Sequence, residues 1–387
     1  MMAAAMSARR GYSTALLEKN DIVGRKLLLS GGGRCNITNT LPVNDFLRAL
    51  GPNGGFIRSA LAAFGRDQVI EFLRGLGISL CEESSRLYVN GGARAFVDAL
   101  ARLLEDSRVR VFFNEHVEQL DLGPTGAFEI ITFNGRFVAR RKVIIAAGGN
   151  SYPATGSNGD GFALARQLGH DIVAPLPAMG PIRLSENPFT GLAGVSTPEV
   201  GVEVDADGKS RGKFVGGLLV THHGLSGPVI LDASLAIARC LQAGKSSSVT
   251  IDFLPAVERN SLDAQLKSDV APTAVLRVLP RRLRDRLLKH AGVEVSAGKV
   301  QLTRANRHRL VETLKSLTLP VANTGSWQQA MVTVGGVSLK QINPATLESR
   351  LVKGLYFAGE VLDIAGNCGG FNIQSALSMG HLAGISR

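Results

Sequence analysis

Three glycine-rich stretches hold the residues whose types and spacing could bind a cofactor. The first, GRKLLLSGGGRCNITN (residues 24–39), sets three consecutive glycines among the cations Arg25, Lys26 and Arg34. Because glycine has no side chain to pack and loses much entropy on ordering, such a loop usually lets the backbone approach a ligand closely. Positive charge beside it suits a diphosphate or the edge of a flavin. A flexible surface loop is the alternative.

The second stretch, KVIIAAGGNSYPATGSNGDGFALARQLG (142–169), ends an apolar strand and opens a helix. The strand ends at Ala147, Gly148 and Gly149, and Gly159, Asp160 and Gly161 begin the helix. Free backbone N–H groups at a helix start can bind an anion or a polar ring edge.

The third stretch, LYFAGEVLDIAGNCGGFNIQSALSMG (355–380), repeats this arrangement. Its strand ends at Gly359 and Glu360, and a helix begins within residues 369–373. An acid after a strand can hold a ribityl hydroxyl, and helix N–H groups can stabilise negative charge on a reduced flavin ring. The sequence therefore predicts a flavin site.

The N-terminal stretch MMAAAMSARRGYSTALLEKN predicts a helix that ends at Gly11, a short strand, and an acid, Glu18. In a nucleotide-binding α/β unit this acid accepts hydrogen bonds from the adenosine ribose about 20 residues after a Gly-rich loop. Counting back from Glu18 passes Met1, so we expect the first strand and its GxGxxG turn to precede this sequence. An ordinary N-terminal helix followed by a surface acid is the alternative.

Composition narrows the class of protein. The 387 residues are 45% hydrophobic with 45 glycines, which predicts a globular chain of about two or three domains. The four cysteines lie far apart with no CxxC, so we expect neither a disulfide framework nor a metal site. No apolar run reaches about 20 residues and no signal peptide is evident, which favours a soluble cytoplasmic protein without membrane attachment.

The net charge of +11 favours anionic partners. Leucines at 276, 279, 283 and 287 alternate with arginines in the pattern of a basic amphipathic helix. Such helices can attract nucleic acid but are more often solvated faces. No aromatic residues are interleaved for base stacking, so we expect nucleic-acid binding to be unlikely.

Periodicity predicts the remaining elements. Residues 44–105 have helical spacing, and residues 108–149 form three or four strands. Residues 188–254 are β-rich, including THHGLSGPVIL, and residues 260–317 are helical. His222 and His223 could form an acid–base pair, but polar residues at a turn are favoured. Cys368 lies beside the flavin-facing glycines, although a dithiol relay would need a second cysteine nearby. No catalytic residue is assigned.

Four quoted motifs together resemble the bacterial BaiN- and YhiN-type NAD(P)/FAD-dependent oxidoreductases, which include aminoacetone-oxidase-like enzymes. They are GRKLLLSGGGRCNITN, AAGGNSYPATGSNGDGFALA, THHGLSGPVIL and NPATLESRLVKGLYFAGEVLDIAGNCGGFNIQSALSMG. The resemblance covers nearly the whole chain, and AGG and TGSNGDG are also similar to fumarate-reductase-type flavoproteins. Members of the family begin with a strand and GGGxxG immediately before the residues that match MMAAAMSARRG.

The resemblance implies an α/β fold with a Rossmann-like FAD-binding domain that lacks its first strand and Gly-rich loop. The domain would consist of residues 1–187 and 326–387. A β-barrel-like domain (188–258) and a helical subdomain (259–325) would be inserted. We also expect the 387-residue form to bind FAD poorly.

The resemblance also implies residue roles. Glu18 would hold the adenosine ribose, Val117 would meet the adenine through its backbone, and Lys26 would lie near the diphosphate. Glu360 would contact the ribityl chain. The cofactor-binding candidates are Glu18, Lys19, Arg25, Lys26, Ser30, Gly31, Gly32, Gly33, Arg34, Cys35, Asn36, Val117, Ala147, Gly148, Gly149, Gly159, Asp160, Gly161, Gly359, Glu360, Gly369, Gly370, Phe371, Asn372 and Ile373.

The expected activity is hydride transfer through bound FAD between a reduced nicotinamide or a small organic substrate and an acceptor. NAD(P)H is a possible cosubstrate. Two alternatives are a degenerate, non-catalytic protein that retains the fold for binding, and a basic nucleic-acid-associated protein.

Overall fold

The chain folds into two compact units. The computed structural model describes residues 1–267, 274–293, 295–296, 299–300 and 302–386. Unit 1 is Met1–Pro175 with Val332–Arg387, and unit 2 is Leu176–Met331. The two ends of the chain therefore fold together. The finer four-part division expected from the sequence stays a prediction.

Helices and strands alternate through both units. The α-helices are α1 (Met2–Arg9), α2 (Val43–Ala49), α3 (Arg58–Ala63), α4 (Arg66–Gly75), α5 (Gly92–Asp106), α6 (Asp160–Gln167), α7 (Pro228–Gln242), α8 (Arg259–Leu266), α9 (Arg281–His290), α10 (Arg304–Ser316) and α11 (Phe371–Ile385). The strands are β1 (Ala15–Glu18), β2 (Asn36–Asn39), β3 (Leu80–Glu83), β4 (Arg86–Val89), β5 (Arg110–Phe113), β6 (Val117–Leu122), β7 (Phe128–Thr132), β8 (Arg136–Ala139), β9 (Val143–Ile145), β10 (Ile172–Ala178), β11 (Ile182–Leu184), β12 (Ser196–Ala206), β13 (Lys209–Val220), β14 (Gly224–Ser226), β15 (Ser247–Asp252), β16 (Val295–Ser296), β17 (Lys299–Val300), β18 (Leu317–Asn323), β19 (Val332–Val337) and β20 (Leu355–Phe357).

Two parallel strand pairs position the site in unit 1. β1 pairs with β5, and β9 pairs with β20 in the register Val143↔Leu355. Because the strands of each pair run in the same direction, their carboxyl ends meet at one edge. Antiparallel sheets β2-β4-β3 and β6-β7-β8 complete the strands that flank the site.

The helical prediction for residues 44–105 is wrong for β3 and β4, which form an antiparallel hairpin. Ser84 and Ser85 at its turn have φ of 48° and 65°. This geometry is that of a type I′ turn, which usually contains Asn-Gly. The Ser-Ser sequence gave no such signal.

Helix α11, which follows the third glycine-rich stretch, packs along α1. A Cβ atom added at Gly384 would lie 2.6 Å from the Cβ of Met6. The Oγ of Ser7 also donates a hydrogen bond to the Gly384 carbonyl oxygen at 3.2 Å. Small residues on α11 therefore let the two ends of the chain approach closely.

Unit 2 is built on a closed six-stranded barrel with the strand order β11-β14-β13-β12-β15-β18. Along β12, Val200, Val202 and Val204 are buried while their neighbours are more exposed, which is the two-residue period of a strand with one face in the core. Asp207 and Gly208 form the turn between β12 and β13. The predicted barrel-like fold is confirmed.

The β-rich prediction for residues 188–254 is wrong for α7. Pro228 occupies the first turn of this helix after Gly227, and Val229, Ile230, Ala233 and Ile237 bury one face. Proline is favoured at a helix start because it has no N–H to leave unpaired. The helical prediction for residues 260–317 is wrong for the short strands β16 and β17, and β18, within the expected helical subdomain (259–325), is a barrel strand.

The predicted basic amphipathic helix is present from Arg281 onward as α9, but Leu276 and Leu279 lie outside this helix. Leu283, Leu287 and Leu288 are buried, and a 3₁₀ turn (Ala274–Val278) precedes Pro280. None of the helices in the described residues is long and apolar enough to cross a membrane.

Candidate functional site

The carboxyl edge of the β9-β20 pair is open in unit 1. β9 is followed by Ala146 and Ala147, which are both exposed although the strand itself ends on the buried Ile145. Gly148 and Gly149 turn the chain here, and Gly359 follows β20. The edge thus exposes small residues, as the predicted contact with a diphosphate requires.

A network of four polar residues lies at this edge. The Lys26 Nζ is 2.8 Å from Glu360 Oε2 and donates to the Ser151 Oγ at 2.6 Å. Ser151 donates in turn to Glu360 Oε1 at 3.0 Å, and the backbone N–H of Thr333 donates to the same oxygen at 2.6 Å. The network joins the first glycine-rich stretch to the third.

Glu360 retains capacity to accept a ligand donor. A carboxylate has about four lone-pair sites, and three protein donors occupy three of them. Its side chain is 23% exposed and that of Lys26 is 30% exposed. Both groups can therefore reach a bound molecule. The diphosphate and ribityl parts of FAD are adjacent, so the two predicted roles suit the observed contact.

The loop of residues 30–36 is exposed at its three glycines. Gly32 has φ of 65°, and a Cβ atom there would meet nothing within 4 Å. Ser30 Oγ donates to the Leu27 carbonyl oxygen at 2.6 Å. Arg34 pairs with Glu83 and stacks over Tyr88. Arg34 is thus held by the β3-β4 hairpin, while the glycines Gly31, Gly32 and Gly33 leave open backbone.

Cys35 and Asn36 follow this loop and are buried. Burial raises the pKa of the Cys35 thiol, although a hydrogen bond with Ser30 opposes the shift. This thiol is therefore protonated and unreactive near neutral pH.

Strand β2 holds the start of α11. Asn39 Nδ2 donates to the Gly369 carbonyl oxygen at 2.8 Å. In the amide orientation that satisfies its contacts, Asn36 Oδ1 accepts from the Gly370 N–H at 3.3 Å. Gly370 has φ of 81°, and a Cβ atom there would lie 2.6 Å from the backbone of Thr38. This close approach explains the glycine.

The first turn of α11 is anchored by its own side chains. Asn372 exchanges two hydrogen bonds with the backbone of Gly366, at 2.8 and 3.0 Å. Phe371 packs against Phe46 with ring centroids 4.9 Å apart. The N–H groups of residues 371–373 precede the first intrahelical bond, which Gln374 makes to Gly370. They lie where a helix can stabilise negative charge.

Glu18 ends β1 and is held by Asn20. Its Oε1 accepts from both the backbone N–H and the Nδ2 of Asn20, at 2.9 and 2.8 Å. Asn20 also accepts from Arg25 at 3.2 Å and donates to the Thr155 carbonyl oxygen at 3.2 Å. Within the described residues no donor contacts Glu18 Oε2, so that oxygen remains for a ligand hydroxyl.

Asp160, at the start of α6, forms a second cluster beside this strand end. Lys19 Nζ is 2.5 Å and His116 Nε2 is 3.2 Å from Asp160 Oδ2. Lys19 also donates to Asn158 Oδ1 at 2.7 Å. Val117 lies next to His116, at the first position of β6. The cluster brings Lys19 and Asp160 together as direct partners.

Packing accounts for three further glycines in the candidate set. Added Cβ atoms would lie 2.3 Å from Thr333 Oγ1 at Gly149, 2.3 Å from Asn150 Oδ1 at Gly159, and 2.8 Å from Val361 Cγ2 at Gly161. These glycines let α6 and β19 approach the edge of β9. Ile373 packs against the apolar core of unit 1.

The three catalytic candidates by position fall in different units of the chain. His222 and His223 lie at the exposed turn between β13 and β14 in unit 2. Cys368 is exposed in the loop before α11 in unit 1. Among the described residues, no group of three or more His, Cys, Asp or Glu side chains could hold a metal ion.

Sequence reasoning missed Ser151, Thr333 and Asn20. Ser151 lies two residues after Gly149 of the second stretch, so its position was a usable signal. Thr333 lies in an apolar strand and Asn20 in a polar turn. Neither pattern distinguishes a site residue from an ordinary one.

These features fit a dinucleotide cofactor with a flavin ring. Open strand ends suit a diphosphate, and a cation and a carboxylate with a remaining acceptor site lie beside them. The N–H groups in the first turn of α11 precede its first intrahelical bond. The arrangement defines a Rossmann-type FAD-binding flavoprotein.

Comparison with known proteins identifies the family. The family model described as HI0933-like protein Rossmann domain matches residues 1–386, and the chain belongs to this family of flavoprotein oxidoreductases. A 3-dehydro-bile acid delta(4,6)-reductase of Clostridium scindens is 33% identical over 98% of this chain and 95% of its own length. A ribosomal RNA dihydrouridine synthase of Escherichia coli is 31% identical over 98% of this chain and 92% of its own length.

A solved structure shows the same fold. The 3-ketosteroid delta1-dehydrogenase of Sterolibacterium denitrificans, in complex with 1,4-androstadiene-3,17-dione, superposes with a TM-score of 0.51. The match covers 99% of this chain and 96% of that chain at 11% identity. This likeness concerns the fold alone.

Proposed function

We propose that this protein is an FAD-dependent reductase that adds hydrogen across a C=C bond conjugated to a carbonyl group, with NAD(P)H as the electron donor. The single observation that carries the proposal is the Lys26–Glu360 contact at the open edge of β9 and β20. It joins the cation expected at the diphosphate to the acid expected at the ribityl chain, within a family of flavoprotein oxidoreductases.

The names of the two relatives support reduction of a conjugated C=C bond. One names C=C bonds in a 3-dehydro compound, and the other names the product of reducing the ring C=C bond of uridine. In both, a carbonyl group polarises the alkene. Hydride adds to the carbon remote from the carbonyl and a proton adds to the nearer carbon, while the nicotinamide loses the two electrons.

Bound FAD would supply the hydride-transfer chemistry, and this chain would supply position and charge. Lys26 would hold the diphosphate, and Glu360 would accept a ribityl hydroxyl through its remaining lone pair. The N–H groups of residues 371–373 would stabilise negative charge at the flavin ring. Ser151 and the Thr333 N–H orient Glu360, because each donates a hydrogen bond to its Oε1.

Anaerobic half-reactions test this function. The FAD-loaded protein is mixed with NADH or NADPH, and flavin bleaching is followed at its visible absorption band. A 3-oxo-4-ene steroid or a uridine-containing RNA is then added. We expect the colour to return with one of these acceptors and the saturated product to form.

The controls are two acceptors that differ from the test acceptors only in having the C=C bond already reduced. The saturated 3-oxo steroid and a dihydrouridine-containing RNA should leave the flavin bleached. Reduction of the flavin without reoxidation by either unsaturated acceptor would overturn the proposed reaction. Absence of any reduction by NADH and NADPH would overturn the proposed donor.

A further inference from the structure

We propose that exposed cations of α9 and the start of α10 bind the phosphate backbone of RNA, so that the C=C bond reduced by this protein belongs to a uracil in an RNA chain. This inference takes its reaction from the proposed function. The residues that would recognise the RNA lie in unit 2. We call the four residues the cationic surface: Arg281, Lys289, Arg304 and Arg309.

Charge is concentrated in this segment of the chain. Residues 277–315 contain eleven Lys and Arg but three Asp and Glu. That difference supplies most of the net charge of +11 for the whole protein. A polyanion that approaches this segment would release counterions, which is the main source of affinity for nucleic-acid backbones.

Some cations of the segment are already committed to the fold. The Arg282 guanidinium donates to the Gly191 carbonyl oxygen at 2.6 Å, and that of Arg286 donates to the Thr190 carbonyl oxygen at 2.8 Å. Arg307 pairs with Asp263 at 2.8 Å. These contacts are explained without a ligand, so we leave these residues out of the cationic surface.

The cationic surface is different because, among the residues that the structure describes, its charges have no close acidic partner. The Arg281 side chain is 86% exposed and lies 3.8 Å from Asp285, which Arg284 also approaches at 3.7 Å. Lys289 and Arg304 are exposed, and no acidic side chain in the described part of the chain pairs with them. They are available to an anion in solution.

The two helices bring three of these cations together, while Arg281 lies at the opposite end of α9. The Asn306 Nδ2, in the first turn of α10, donates to the Gly292 carbonyl oxygen just after α9, at 3.1 Å. Arg309 donates to the Oδ1 of the same Asn306 at 2.5 Å. Lys289 is three residues before Gly292, and Arg304 is two residues before Asn306. The end of α9 and the start of α10 therefore form one basic patch.

The first residues of α9 and α10 are positively charged, like the N-terminal end of the helix dipole. Neither α9 nor α10 has an acidic residue in its first turn, and Arg281 and Arg304 are their first residues. Because the N-terminus of a helix carries partial positive charge, an arginine there is unfavourable for the isolated fold. A negatively charged ligand would reverse this cost, since both the side chain and the helix end attract it.

The chemistry of the segment favours a nucleic-acid backbone over a membrane surface. Residues 277–315 contain no Phe, Trp or Tyr, which is why the sequence alone made nucleic-acid binding unlikely. That absence argues against base stacking, whereas the exposed cations support contacts with phosphates. Membrane binding also needs several apolar side chains that insert. Among the described residues of this segment, Val278 is the one large apolar side chain that is exposed. The word RNA in the name of one relative supports the same partner.

A matched pair of charge variants tests the inference. The variant Arg281→Gln/Lys289→Gln/Arg304→Gln removes three charges from the cationic surface. The control Arg102→Gln/Arg140→Gln/Arg166→Gln removes three exposed cations from unit 1. Each purified protein is titrated against a fluorescein-labelled ribosomal RNA stem–loop at about 50 to 200 mM salt, and binding is followed by fluorescence anisotropy.

We expect the surface variant to bind at least about tenfold more weakly than the wild type, and its dependence of log Kd on log salt to be smaller by about two to three. The control should keep the wild-type salt dependence. Equal losses in the two variants, or no loss in the surface variant, would overturn the inference. Loss of binding to phosphatidylserine vesicles with unchanged RNA binding would overturn it as well.

Flavin reduction by NADPH is measured on the same preparations, so that the two proposals can fail separately. A surface variant that keeps flavin reduction while losing RNA affinity supports the inference. A wild type that neither NADPH nor NADH reduces would overturn the proposed donor, while the anisotropy data would still decide whether the surface binds RNA.

Discussion

Lys26 and Glu360 are 334 positions apart in the chain, yet the Lys26 ammonium lies 2.8 Å from the Glu360 carboxylate. The contact connects the glycine-rich loop after β1 with the end of β20. Ser151 bridges the same two side chains. Three separate glycine-rich stretches therefore meet in one network.

This contact should contribute little to folding. Both side chains are partly exposed, and ion pairs in that setting are worth about 0 to 1 kcal/mol. We expect a double-mutant cycle of Lys26→Met and Glu360→Gln, measured by urea unfolding without FAD, to give a coupling free energy below about 1 kcal/mol. A larger coupling would indicate that the pair is a structural feature of the fold.

Gly370 should tolerate substitution far less than Gly32, although both have positive φ. An alanine in this conformation costs about 1 to 2 kcal/mol of stability at either position. At Gly370 its Cβ would also lie 2.6 Å from the Thr38 backbone, whereas at Gly32 it would meet nothing within 4 Å. We expect urea unfolding to show a larger loss for Gly370→Ala than for Gly32→Ala. Equal losses would contradict the close approach of Thr38.

Asn39 should matter for stability because its hydrogen bond is buried. It donates to the Gly369 carbonyl oxygen at 2.8 Å, and Asn39→Leu would leave that oxygen unpaired at a cost of about 1 to 3 kcal/mol. Asn134 makes an exposed bond of the same length to Asn114, so Asn134→Leu is the control. We expect a clear drop in the free energy of unfolding for the first variant and a small change for the second. A similar change in both variants would count against a stabilising role for the Asn39–Gly369 hydrogen bond at the start of α11.

The sequence predicted the parts of the site that depend on local backbone chemistry. Strands that end in small residues and helices that begin with glycine have signatures in the sequence, so Gly149, Glu360 and Gly370 could be found. Residues that join the site only through tertiary contacts could not be found from the sequence. Thr333 contributes its backbone N–H, which every residue except proline has, and Asn20 acts through its position next to Glu18.

The same distinction explains the errors in the fold. The hairpin of β3 and β4 turns through Ser84 and Ser85, whose type carries no strong turn signal. Helix α7 was predicted as β because its first residues are apolar and β-branched. Burial of its Ala233 and Ile237 against the barrel outweighs that local preference.

Acid should destabilise this protein through His381. Its ring stacks on Phe64 with centroids 4.5 Å apart, its Nδ1 is buried without a partner in the described structure, and burial lowers its pKa. The unfolded chain therefore binds the proton more readily than the native one. The stability that neutral His381 provides is fully present above about pH 6.5 and is lost as the pH falls toward its lowered native pKa.

His381→Phe isolates this effect because it retains the stacked ring and removes the titrating group. We expect the free energy of unfolding of the wild type to fall between pH 7 and pH 5 by more than that of the variant. Parallel pH profiles for the two proteins would contradict the assignment.

The affinity for FAD tests the location of the cofactor most directly. Isothermal titration of FAD into apoprotein is compared for the wild type, Lys26→Met and a control, Lys245→Met, which removes a lysine paired with Asp207 at 3.1 Å in unit 2. Charge-assisted hydrogen bonds to a phosphate are stronger than hydrogen bonds between neutral groups. We therefore expect Lys26→Met to raise the Kd for FAD by about tenfold or more. Lys245→Met should leave the Kd unchanged. Equal FAD affinity in the wild type and Lys26→Met would contradict the placement of the diphosphate at the Lys26–Glu360 contact.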